Sequence, residues 1–105
     1  MNKINQLNEW LKENPDDSFL IYALALEYIK NNQIQEAKKQ FDELTQKHPK
    51  YLATYLQFGN LLAEMGNKEK AEDIYRKGLE IALEQNNSKT YKEINQALNN
   101  MIDDV

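Results

Sequence analysis

Residues 17–30 read DSFLIYALALEYIK, a helix-length stretch with too much apolar surface for a single face. Only Asp17, Ser18, Glu27 and Lys30 interrupt it. At about 100° per residue, a helix gathers Ile21, Leu24, Ala25 and Tyr28 on one side. Phe19, Tyr22, Leu26 and Ile29 form a second stripe, roughly a third of a turn away. A surface helix needs one apolar stripe, whereas a helix with two must be covered on two sides. One stripe serves the core; the other needs a neighbour, a partner chain or a ligand.

Outward from this stretch the chain repeats itself. Pro15 and Pro49 lie 34 residues apart, as do Ala37 and Ala71, Phe41 and Tyr75, Asn32 and Gly66, and Leu24 and Phe58. Helix breakers, small residues and aromatics that share one offset mark a repeat architecture. The first unit runs Ile21, Leu24-Ala25, Tyr28, then Ala37, Phe41 and Pro49. The second runs Tyr55, Phe58-Gly59, Leu62, then Ala71 and Tyr75, with Leu83 where the proline would recur. Ala25 and Gly59 let two helices of a hairpin approach closely, Ala37 and Ala71 supply the matching small surface, and Phe41 and Tyr75 fill the space a turn later. Asn31-Asn32 and Gly66-Asn67 are the short connections, since Asn and Gly adopt the left-handed conformation that ends a helix. Asn67 can also cap the helix after it.

The flanks extend the same scheme. Ile4, Leu7, Trp10 and Leu11 form an apolar stripe, and Leu7 precedes Phe41 by 34 residues. The segment 1–14 therefore reads as the second helix of a half repeat, with Trp10 in the core at the site aligned with Leu44. Beyond residue 86 the offset of 34 fails, because it would bury Lys89 and Lys92. An offset of 36 restores it and gives Tyr91, Ile94 and Leu98, with Met101 and Ile102 extending the stripe. Asn95 replaces the small hairpin residue, and Lys92, Glu93, Asn95, Gln96 and Asn99 face outward. The segment 88–103 thus reads as a capping helix, the polar terminator that helical stacks require. It comes after repeat one at 17–49 and repeat two at 51–86, whose second helix spans about Lys68 to Asn86.

This pattern resembles the tetratricopeptide repeat, in which a large residue, Leu-Gly and Tyr on one helix are followed by Ala, Phe and a closing Pro. Ile21 and Tyr55 stand where Trp is usual, Ala25 replaces one Gly, and Gly78 takes a site usually held by Ala. The resemblance implies an all-α, right-handed α-solenoid of antiparallel helical hairpins, about six helices in a single domain over 1–105. It also implies that the first helices form a concave face for extended peptides or helices. Phe19, Tyr22, Leu26 and Ile29 fall on that face, and Leu56 and Asn60 belong to its second half. Members that clamp a terminal carboxylate use Lys and Asn there; Tyr22, Leu26 and Leu56 occupy such sites here, and only Asn60 fits. What the resemblance leaves is an apolar groove flanked by Lys30 and Glu64.

Composition bounds the remaining possibilities. The 105 residues are 41% hydrophobic and 29% charged, and the single Val is the last residue, so no alternating strand pattern exists. A net charge of −4 opposes binding to a phosphate backbone, and Lys68, Lys70, Arg76 and Lys77 alternate with Glu69, Glu72, Asp73 and Glu80. The absence of Cys excludes disulfides, thiolate nucleophiles and Cys-based metal sites. His48, the only His, precedes Pro49 and reads as a cation on helix-terminal carbonyls. Carboxylate pairs such as Glu9/Glu13 and Glu80/Glu84 fall on polar faces, where nothing separates their pKa values for catalysis. Gly59, Gly66 and Gly78 are isolated and make no phosphate loop. With no signal core and no apolar run of about 18 residues, a cytoplasmic location is the default expectation. The expected role is a non-enzymatic scaffold, without cofactor or metal, that binds a protein segment through the groove. The alternative is a homodimer that buries the same stripe.

Overall fold

A computed structural model describes residues 2–103, which form six helices and no strand. Contacts divide the chain into two compact units, Met1–Tyr51 and Leu52–Val105. The first holds α1 (Lys3–Glu13), α2 (Ser18–Lys30) and α3 (Ile34–Lys47). The second holds α4 (Ala53–Glu64), α5 (Lys68–Glu84) and α6 (Ser88–Asp103).

Helix starts are set by short polar side chains. Asn2, Asp17, Asn67 and Asn87 each accept a hydrogen bond from the backbone N–H three residues on, at 2.8, 3.1, 3.3 and 3.0 Å. Each such bond satisfies one of the donors a helix start leaves open. Helix ends use two devices. Asn14 (φ −135°, ψ 67°) and His48 (φ −133°, ψ 61°) share one conformation ahead of Pro15 and Pro49. The proline ring forbids helical geometry to the residue before it, which stops α1 and α3. After α2, α4 and α5, Asn32, Gly66 and Asn86 turn left-handed, with φ of 61°, 83° and 56°. Each turn is closed by a bond from the next residue's N–H back to a helical carbonyl: Gln33 to Tyr28, Asn67 to Leu62 and Asn87 to Ala82, at 2.8–2.9 Å. The Asn86 turn ends α5 at Glu84, two residues short of the expected Asn86.

In the first unit, α1 and α3 both pack on α2. Leu7, Ile21, Leu24, Ala25, Ala37, Phe41 and Leu44 are buried. Trp10, expected in the core, is instead 47% exposed, whereas Leu44 at the aligned site is fully buried. Within its unit α1 packs chiefly on one helix, α2. Leu7 takes the stripe facing that neighbour, and Trp10 lies about 60° round the helix from it. His48 also departs from expectation, because its Nε2 is buried with no hydrogen-bond partner rather than seated on terminal carbonyls.

In the second unit α5 packs on both α4 and α6, which also touch each other. Tyr55, Phe58, Leu62, Tyr75, Ile81, Ile94 and Leu98 fill the core. Ile94 and Leu98 occupy the places the 36-residue offset gave them, but Ile102 is half exposed and does not continue the buried stripe. On the outer side of α5, Arg76 pairs with Glu72 at 2.8 Å and Lys77 with Glu80 at 3.4 Å. These exposed pairs solvate the face and contribute little to stability.

Gly78 explains itself here. A Cβ at this position would lie 2.5 Å from Tyr55 Cβ and 2.9 Å from Ile94 Cδ1. Tyr55 Cβ is fixed to the α4 backbone, so the helix itself would have to move. Gly78→Ala gains about 1 kcal/mol of helix propensity against an overpacking cost of about 1–3 kcal/mol. A net loss of up to about 2 kcal/mol is expected in urea unfolding. A midpoint above wild type would refute this spacing of α4, α5 and α6.

Candidate interaction faces on α2 and α4

The apolar excess of α2 is resolved unevenly. Ile21, Leu24 and Ala25 are buried on one side, while Tyr22, Leu26 and Ile29 on the other are half-buried. Phe19, at the start of that second stripe, is 63% exposed, and Lys30 at its end is exposed. Part of the cover comes from Tyr51, just after the Pro49 turn. Its ring lies 5.6 Å from that of Tyr22, inclined at 59°. This tilted arrangement suits the quadrupoles of two aromatic rings. Burial, and then its partner ring, raises the Tyr22 hydroxyl above the ordinary pKa. Burial, and then the Asp17 carboxylate, does the same for Tyr51. Both stay neutral phenols, donors as well as acceptors, at physiological pH. The sequence pattern did not single out Tyr51; its signal was an aromatic residue two places after the closing proline.

On α4 the expected residues separate. Asn60 and Glu64 line an open cleft of about 520 Å³ between α4 and α6, and Leu56, although half-buried, does not. Lys68 and Tyr75 of α5 and Asn100 and Met101 of α6 complete the lining. Tyr75 donates its hydroxyl to Asn60 Oδ1 at 2.6 Å. Burial, and then the Glu64 carboxylate, raises the pKa of that hydroxyl. The repeat pattern assigned Tyr75 to the core as a space-filler, so its hydroxyl in the cleft went unread. A smaller concavity of about 290 Å³ lies at the α5–α6 turn, where Leu83, 65% exposed, stands near Tyr91 and Lys92.

Among the described residues no group of three or more His, Asp or Glu could hold a metal ion. Among them, too, no helix is long and apolar enough to cross a membrane. What these faces offer is aromatic and aliphatic surface on α2 and amide, hydroxyl and charged groups in the cleft beside α4.

The tetratricopeptide repeat family model matches residues 28–89. A crystal structure of a tetratricopeptide repeat domain protein from Salinibacter ruber is 33% identical, with a TM-score of 0.78 over 81% of this chain and 94% of that one. A solution structure of a tetratricopeptide repeat domain protein from the same organism gives 33% identity and a TM-score of 0.80, over 83% and 88%. A protein from Bordetella parapertussis shares the fold at 20% identity, with a TM-score of 0.83 over 97% and 89%. No curated protein matches the sequence.

The Tyr22–Tyr51 contact generates a stability prediction. A double-mutant cycle with Tyr22→Ala and Tyr51→Ala should return a coupling of about 0.5–1.5 kcal/mol. Phe19→Ser, which removes a mostly exposed ring, should stay within about 0.5 kcal/mol of wild type. Strictly additive tyrosine losses would mean that the two rings do not support one another.

Proposed function

We propose a scaffold function on one premise: this chain belongs to the tetratricopeptide repeat family. That family generally mediates protein–protein interaction and is generally non-enzymatic. Here the chain binds a peptide or helix of a partner protein through the outward faces of its first helices. Phe19, Tyr22, Leu26, Ile29 and Lys30 serve on α2, and Leu56, Asn60 and Glu64 serve on α4. The observation that supports the reading most directly is the exposed Phe19 at the head of a half-buried apolar stripe. A water-facing aromatic continuous with other apolar surface favours association.

The face must be separable from the core. Leu26→Glu, on the half-buried side, should abolish partner binding and leave helicity and melting temperature close to wild type. Leu24→Glu, two residues away, places an unpaired charge at a position only 2% exposed and should unfold the hairpin. Circular dichroism melts, with capture of partners from lysate by each variant, make the comparison. Equal unfolding by both substitutions would remove the binding face. A concentration-independent dimer in light scattering, lost in Leu26→Glu, would assign the same stripe to self-association.

A further inference from the structure

Tyr75 leaves α5 and crosses α4 at Gly59, where an added Cβ would fall 2.3 Å from the ring. The residue is only 2% exposed, yet its hydroxyl emerges in the α4–α6 cleft against Asn60. The repeat supplies an internal control. Thirty-four residues earlier the equivalents of Tyr75 and Asn60 are Phe41 and Leu26. Hydroxyl and amide are present together in the second hairpin and absent together from the first. A phenylalanine fills the core equally well, since Phe41 is fully buried. Packing therefore does not account for the hydroxyl.

An asparagine side chain has one acceptor oxygen and two N–H donors. The Tyr75 hydroxyl occupies Oδ1 at 2.6 Å, which fixes the amide's orientation and leaves the Nδ2 donors for a ligand. The two charged residues of the cleft, Glu64 and Lys68, have opposite signs. It thus lacks the net cationic field that holds a carboxylate, and Glu64 would repel one.

We propose that Tyr75 is a positioning residue of this cleft, holding Asn60 as a donor to an uncharged main-chain carbonyl of an extended partner segment. The inference rests on the scaffold reading and names the chemical group recognised. An extended peptide suits the site because its carbonyls recur along the strand as neutral acceptors. Asn100, across the cleft on α6, offers a second amide of the same kind.

The test uses the full chain and two arrays of short acetylated synthetic peptides, one ending in an amide and the other in a free carboxylate. Binders should come from the amidated array as readily as from the other. Against a selected amidated peptide, Tyr75→Phe should weaken affinity roughly three- to tenfold while leaving the protein folded with wild-type helicity. Asn60→Ala should lose at least as much, and the double variant no more than Asn60→Ala alone. In NMR spectra of the free protein the Asn60 side-chain amide should move in Tyr75→Phe, which a purely space-filling tyrosine would not require. Wild-type affinity in Tyr75→Phe, additive losses in the double variant, or binders confined to free carboxylates would each overturn the proposal. Binding that is indifferent to Tyr75→Phe and Asn60→Ala but lost in Leu26→Glu would overturn it and leave the scaffold reading standing. No binder on either array would overturn both.

Discussion

The structure depends on how closely two helices of a hairpin can approach, and that distance is set by side chains left out. In the second hairpin Gly59 yields to the Tyr75 ring, and Gly78 yields to Tyr55 and Ile94. In the first hairpin, buried Ala25 and Ala37 stand at the hairpin contact, with Phe41 as the aromatic. Close packing of this kind tolerates neither an added methyl nor a missing ring, because interiors are filled to near-crystalline density. The same omission that brings α4 and α5 together also opens a path. With no Cβ at Gly59, an aromatic rooted in one helix reaches the far side of the other. Core packing and the chemistry of the α4–α6 cleft thus share one residue.

Helix length is governed separately, by the residues just beyond the end of each second helix. Asn14 and His48 end theirs because a proline comes next. At the position where a third proline would fall stands Leu83, and α5 runs on through it to a left-handed Asn86. The extension moves the next helix two residues along in sequence, which is why α6 obeys an offset of 36 rather than 34. It also leaves Leu83 pointing into water beside Tyr91 and the small concavity at that turn. A substitution that lengthens a helix by two residues therefore changes both the register and the surface.

These effects differ in how plainly a sequence displays them. The hairpins, their left-handed turns at Asn32 and Gly66, and the small residues at their contacts were legible because each is a local chemical requirement repeated at a fixed spacing. Trp10 was misread because periodicity gives the direction of a side chain but not the presence of a neighbour to cover it. His48 was misread for a related reason: its distance from the helix end is visible in the sequence, and the burial of its Nε2 is not. In the candidate site, Asn60 and Glu64 were placed by alignment with the first repeat. Tyr51 and the Tyr75 hydroxyl were not, since each acts across a distance that no spacing rule encodes. Asn60 stood as a lone polar residue in an apolar groove until the donor fixing it came into view.

The cover on α2 also sets the scale of binding that the scaffold reading allows. Fully burying four large apolar side chains is worth roughly 6–12 kcal/mol. Tyr22, Leu26 and Ile29 are already half-buried, and Tyr51 lies against the first of them, so much of that gain is spent on folding. Phe19 retains most of its share because it is 63% exposed. The remaining gain, at most on the order of 3–5 kcal/mol, reaches only the low end of the cost of immobilising a partner, about 4–15 kcal/mol. Hydrophobic contact with α2 alone consequently supports weak, readily reversible association. Tight binding would require directional polar contacts in addition, and the hydrogen-bond donors that Tyr75 and Asn60 organise are of the kind that could supply them.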